Sequence, residues 1–179
     1  MTSSEAVVGR DPGAQPDQTR SHALIVDSKL RFPALPSSHI ERAALLSRLA
    51  VEDLPPRIFI SGPAGSGKST LASHWCRLAA ASSVVAWLSI DERDRDPVRL
   101  WAHLLEGARR SSPQLGREAL QALQGGSPLI EVVLPLFVRD LSLADGRVLV
   151  VLDDAHALPA GTARDSIREL AALMPPQAT

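Results

Sequence analysis

The chain has 179 residues, 45% of them hydrophobic, and a formal net charge of −1. That is enough for about one domain with a real core, and too little charge to recruit nucleic acid or an anionic membrane through a global field. Its one cysteine, Cys76, excludes an internal disulfide, and the sequence has neither a zinc-ligand cluster nor an apolar run of membrane-spanning length.

Residues 1–24 are polar and without period, and read as a disordered leader with no apolar signal core. A cytoplasmic location follows by default. Residues 25–56 read as a lead-in segment. Pro33 and Pro36 keep its first part extended. Ser38 is placed to cap a short helix, roughly 39–52, with Ile40, Leu45, Leu46 and Leu49 on its apolar face. Pro55-Pro56 ends it.

Residues 57–179 alternate apolar runs with amphipathic ones. A strand over 57–61 enters a glycine-rich loop, and a helix over 68–81 follows with Leu71, Trp75 and Leu78. Cys76 on that helix reads as a small buried hydrophobe. A second strand spans 84–90. The loop 91–97 carries acids that read mainly as a solvated turn and as helix N-terminal charges. Helices are expected over 97–110, 114–124 and 128–143, the last tolerating Pro135 only with a kink or a late start. A third strand spans 147–152, and a final helix 162–174 stops at Pro175-Pro176. The third strand's uninterrupted apolar run after Arg147 suits a parallel strand covered on both faces. The pattern is that of an α/β chain with right-handed crossovers.

The loop is the most specific signal. Gly62-Pro63-Ala64-Gly65-Ser66-Gly67-Lys68-Ser69 fits G-x-x-x-x-G-K-[ST], which a chain of this composition meets by chance roughly once in a thousand cases. The glycines let backbone N–H groups wrap an anion at a helix N-terminus, where the dipole favours negative charge. Lys68 would bring an ammonium to the β and γ phosphates, and Ser69 a hydroxyl to Mg²⁺. The bland alternative is a glycine-rich turn that happens to carry a lysine. The third strand ends in Asp153-Asp154, at the sheet edge where ligands of parallel sheets collect. Asp153 would hold the metal, and Asp154 would orient or deprotonate an attacking water. The alternative is two acids in a turn. His156 is open between sensing the γ-phosphate side and serving as a loop histidine.

Several segments together resemble the large LuxR-type, maltose-regulator-like transcriptional activators, members of the signal-transducing STAND class of P-loop NTPases. Ser28-Lys29-Leu30 with Pro33 and Pro36, then Ile40-Glu41-Arg42 and Leu45-Leu46, is similar to their lead-in. Ser61 through Leu71 matches their phosphate loop, and Trp75 their tryptophan in the following helix. Trp87 through Glu92, with Asp94 and Pro97, resembles their second-strand signature. Leu152-Asp153-Asp154-Ala155-His156 resembles their Walker B end. The resemblance covers about residues 25–170. It implies a three-layer α/β/α P-loop fold, ATP held by residues 62–70 including Thr70, and Mg²⁺ at Ser69 and Asp153. It also implies that Arg42 lies near the nucleotide, and that an ATP-bound form self-associates and is reset by hydrolysis.

Such regulators are much longer, and place a further strand between the phosphate-loop strand and the Walker B strand. Here that strand would begin just after Pro176. The expectation is therefore a piece of a longer regulator, truncated before its fourth and fifth core strands, without sensor or DNA-binding parts, contacting neither DNA nor membrane. Two other functions compete: a small P-loop kinase acting on a metabolite, which needs an arginine-rich lid, and a non-catalytic nucleotide-binding remnant.

Overall fold

The computed structural model describes residues 25–49, 55, 57–176 and 178–179. The expected leader and the end of the lead-in helix lie outside these residues. Two strands, β1 (Ser83–Ser89) and β2 (Arg147–Asp153), pair in parallel, in register from Ser83 opposite Arg147 to Ser89 opposite Asp153. Among the described residues six α-helices accompany them: α1 (Ala43–Leu49), α2 (Lys68–Ala79), α3 (Pro97–Ser111), α4 (Arg117–Gln124), α5 (Leu134–Ser142) and α6 (Thr162–Leu173).

The strand alternation sorts the core into two faces. Ala86 and Leu88 of β1, with Val148, Val150 and Leu152 of β2, point into a large cluster with Leu100, Trp101, Leu104, Phe137, Leu141 and Leu170. Val85, Trp87, Leu149 and Val151 point the other way, against Leu71, Trp75 and Cys76 of α2. The result is a three-layer α/β/α arrangement, with α1 and α2 on one face and α3 to α6 on the other, where the first lead-in residues, Ile25 and Leu30, also pack. This is a P-loop NTPase fold.

Local chemistry explains the helix boundaries. Asp96 caps α3 by accepting a 3.0 Å bond from the Val98 N–H, with Pro97 in the first turn. Pro135 is accommodated by a late start: a π turn over Leu129–Val133 precedes α5, so the proline falls at the N-terminus of the α-helix. Trp101 is fully buried, and its indole N–H is satisfied by Ser166 Oγ of α6 at 2.8 Å.

Four expectations need correction. First, residues 57–61 form no strand. Arg57 through Ile60 run extended, with Ile58 and Ile60 turned to the α2 side of the core and Phe59 89% exposed. The β2 edge beyond β1 is taken by Ala178, which bridges Val148, and by Thr179, which exchanges backbone bonds with Val148 and Val150 at 2.9 and 2.7 Å. Thr179 also reaches the Pro55 carbonyl at 3.3 Å. Among the described residues 57–61 has no ladder partner, and Ala178 and Thr179 lie beside β2, where the sequence places a further strand.

Second, the lead-in helix starts at Ala43, not near residue 39, so Ser38 caps nothing there. Ile40 is 83% exposed and Leu45 is exposed, while Leu46 is buried and Leu49 packs at the cluster's edge. Third, Leu78 of α2 is 56% exposed rather than part of the apolar face.

Fourth, the acidic loop is not mainly a solvated turn. It folds as a 3₁₀ turn, Glu92–Arg95, closed by a capping box between Asp91 and Asp94. Asp94 is fully buried and paired with the Lys29 ammonium. Removing either partner of such a pair strands a charge in the interior, a cost of about 3–5 kcal/mol.

Candidate nucleotide site

The phosphate loop lies at the sheet edge formed by the C-terminal ends of β1 and β2. Gly65 and Gly67 have φ of 73° and 79°, values that glycine adopts without penalty. A Cβ on Gly67 would also sit 3.1 Å from the Arg42 guanidinium. Gly67 is the N-cap of α2 and has no side chain to cap it, so it offers no competitor to an incoming anion at the helix start. Gly62, Pro63, Ala64 and Gly65 are exposed, and Ser66 through Thr70 half-buried.

Lys68 opens α2. Its ammonium donates to the Gly62 and Pro63 carbonyls, both at 2.9 Å, and so bridges the loop from inside. Ser69 follows on the same turn, and its hydroxyl donates to Asp153 Oδ1 at 2.8 Å. The two motifs, far apart in sequence, therefore meet. A hydroxyl and a carboxylate oxygen in contact form a hard-oxygen pair of the kind Mg²⁺ takes, so the residues fit that ion. Arg42 donates to the Ser66 carbonyl at 2.8 Å. It thus sits on the loop, although it comes from the lead-in.

Asp154 is the one non-glycine described residue with positive φ, at 56°. Aspartate tolerates this region better than most residues, and strain of this kind concentrates at functional turns. His156 Nδ1 lies 3.7 Å from Asp154 Oδ1, with both side chains largely in solvent. Cys76 is buried below the site. Desolvation, and then the charge of Asp153, push its thiol pKa up to about 12. It is a hydrophobe here and not a nucleophile.

A cleft of about 350 Å³ opens elsewhere, around Val84, Arg117, Glu118 and Asp140, at the start of β1 and away from the loop. The phosphate loop itself is open to solvent. Its definition rests on donor geometry, since backbone amides cradle an anion without a deep cavity. Sequence reasoning missed the Lys29–Asp94 pair. The usable signal was that the chain has only two lysines and one lies outside the loop.

The fold and the motif geometry define a P-loop nucleotide-binding module. Residues 37–178 match the family described as the AAA ATPase domain, and the chain belongs to it. Among curated proteins it is similar to the serine/threonine-protein kinase PknK of Mycobacterium tuberculosis (strain ATCC 25618 / H37Rv), 35% identical over 127 residues, which are 69% of this chain and 11% of that protein. It is also similar to the HTH-type transcriptional regulator MalT. The Klebsiella pneumoniae (strain 342) form is 28% identical over 149 residues and the Serratia proteamaculans (strain 568) form 29% over 147, in both cases 81% of this chain and 16% of the regulator. These matches bear out the resemblance to the maltose-regulator class. The chain thus spans 11–16% of the length of these relatives. No helix among the described residues is long and apolar enough to cross a membrane.

Proposed function

We propose that this chain binds Mg-ATP and hydrolyses it slowly, as the switch module of a LuxR-type transcriptional regulator. The observation that carries the reading is the Ser69–Asp153 hydrogen bond, which couples a phosphate loop to a metal-binding carboxylate. In this reading residues 62–70 hold the phosphates through backbone N–H groups, and Lys68 exchanges its bonds to Gly62 and Pro63 for phosphate oxygens. Ser69 and Asp153 hold Mg²⁺, which neutralises charge on the phosphates. Asp154 orients the attacking water, and Arg42 adds positive charge beside the loop. Self-association, or contact with other parts of a longer regulator, would pass on the bound state.

The kinase reading is weaker for a physical reason. Its lid would have to come from Asp91–Arg99, and that stretch is occupied by a capped turn with Asp94 buried against Lys29. A closing lid needs residues free to move. Titration with a fluorescent ATP analogue tests the proposal. Lys68→Ala should weaken binding by about a hundredfold, because the phosphates lose their charge partner. Equal affinity in the variant would sink the assignment.

A further inference from the structure

The lead-in is a strap. Over residues 25–49 only Lys29 and Leu46 are buried, and those between them are half-buried or exposed. The strap runs antiparallel to α2. Phe32 packs edge-on to Trp87 and under the Arg77 guanidinium, and the Pro33 carbonyl accepts from Ser73 and Arg77. His39 Nε2 meets His74 Nδ1 at 2.8 Å, and Arg42 then reaches the Ser66 carbonyl. After Arg42 the chain doubles back as α1, and Leu46 enters the cluster of Leu71 and Trp75.

The anchor at the start of the strap is electrostatic. Asp94 is fully buried, and its other basic neighbours, Arg99 Nε at 3.7 Å and His103 Nδ1 at 4.0 Å, lie beyond hydrogen-bond reach. Asp94 Oδ1 and Arg99 Nε each lack a hydrogen-bond partner. Among the described residues, Lys29 is therefore the one cation hydrogen-bonded to this carboxylate. A carboxylate buried without such a partner carries an uncompensated desolvation cost. Asp94 also closes the turn after β1 by accepting from the Asp91 N–H at 2.9 Å. The strap is thus tied to the loop that follows β1, at the same sheet edge as the phosphate loop.

We propose that Lys29 is a positioning residue for Arg42. Its bond to Asp94 fixes the start of the strap, Leu46 fixes the end, and Arg42 is thereby held on the Ser66 carbonyl beside Gly67. The consequence for nucleotide affinity rests on the reading of residues 62–70 as a phosphate loop. An arginine seated before the ligand arrives costs less to order on binding, so the strap preorganises the site.

Amide hydrogen exchange on the nucleotide-free chain tests the seating directly. Lys29→Met should raise exchange by about tenfold or more across residues 33–46, beyond the anchor itself. A rise confined to residues 25–32 overturns the proposal. Because Lys29→Met leaves Asp94 buried without its partner, the double variant Lys29→Met/Asp94→Asn removes the charge as well and guards against unfolding. It should show the same loosening of the strap with a cooperative melt. Nucleotide affinity supplies the second arm. Lys29→Met and Arg42→Ala should weaken binding of a fluorescent ATP analogue similarly, and the combination should be no weaker than Arg42→Ala alone. Multiplying effects would show that Lys29 acts otherwise than through Arg42. If wild-type chain fails to bind nucleotide, the functional reading falls, and the exchange arm still decides the role of Lys29.

Discussion

Ser69 and Asp153, 84 positions apart, share a 2.8 Å hydrogen bond between hydroxyl and carboxylate. The contact exists because α2 begins directly after the loop, while β2 ends at the same sheet edge, in register with β1 up to Ser89. The hydroxyl is thereby already oriented toward the carboxylate, the two groups that would hold Mg²⁺ in the proposed reading.

Asp153→Asn should therefore separate nucleotide binding from metal binding. The amide oxygen still accepts from Ser69, so the fold is kept, but its charge is gone. Affinity for an ATP analogue without Mg²⁺ should stay within about twofold of wild type, while the gain on adding Mg²⁺ should shrink by about tenfold. Titrations in Mg²⁺ and in a chelator decide it. A Mg²⁺ effect as large as in wild type would remove Asp153 from the metal site.

Asp154→Asn should leave affinity intact and lower the rate of phosphate release by about a hundredfold. The left-handed backbone at φ 56° suits asparagine as well as aspartate, so the substitution tests the carboxylate and not the turn. Equal turnover would leave Asp154 with a purely structural place at the end of β2.

Much of this site was legible because it is local in sequence. Glycine freedom, a helix start and a lysine lie within residues 62–69, and β2 is an unbroken apolar run before Asp153. What failed was long-range. The extended segment 57–60 has the composition of a strand, but strand pairing depends on a neighbour, and composition does not supply one. Leu78 has an apolar side chain at helical spacing, yet among the described residues it is left 56% exposed. Asp94 looked like one acid among several. Its burial depends on Lys29, 65 positions away, and no local rule links the two.

Gly65→Ala and Gly67→Ala should differ in a readable way. Both positions have positive φ, so an added Cβ costs about 1–2 kcal/mol at either. At position 65 nothing lies within 4 Å of the new Cβ, whereas at 67 it meets the Arg42 guanidinium at 3.1 Å. Both variants should melt lower by a similar amount, and Gly67→Ala alone should also loosen Arg42 and lose further nucleotide affinity. Paired melting and titration curves check this. Indistinguishable affinities would mean that Arg42 moves aside freely.

Cys76 should be inert in the folded chain. Its thiol is fully buried and its pKa raised to about 12, so almost no thiolate forms at neutral pH. Alkylation with iodoacetamide, followed by intact mass, should proceed only as fast as the chain opens, and quickly in denaturant. Rapid modification under native conditions would contradict the packing of α2 against Trp87.

Acid should loosen the start of the strap before it touches the carboxylates. His103 is fully buried on α3, with Nδ1 bonded to the Arg99 carbonyl at 2.8 Å and Nε2 accepting from the Val26 N–H at 3.2 Å. Both bonds suit the neutral ring with its proton on Nδ1, and protonating Nε2 would break the second. Burial lowers its pKa below the usual 6.5; the bond to the Arg99 carbonyl and the charge of Asp94 oppose this, and the charges of Lys29 and Arg99 add to it. The unfolded chain therefore takes up this proton first as pH falls, and stability declines below about 6.5. Glu106, held below its usual 4.5 by Arg109 and Arg110, adds stability that is present above that value and lost on further acidification. Asp91 behaves alike: burial raises its carboxyl, but the Arg93 N–H and Lys29 outweigh it, so its contribution fades below 3.8. Melting temperatures at about pH 7.5 and 5.5 set histidine titration apart from that of Glu106 and Asp91, and the variant His103→Gln singles out His103 among the chain's five histidines. Wild type should lose stability over it, and His103→Gln, which keeps a hydrogen-bonding side chain without a titrating ring, should lose clearly less. An equal loss in both would mean that the acid sensitivity arises outside the strap's first anchor.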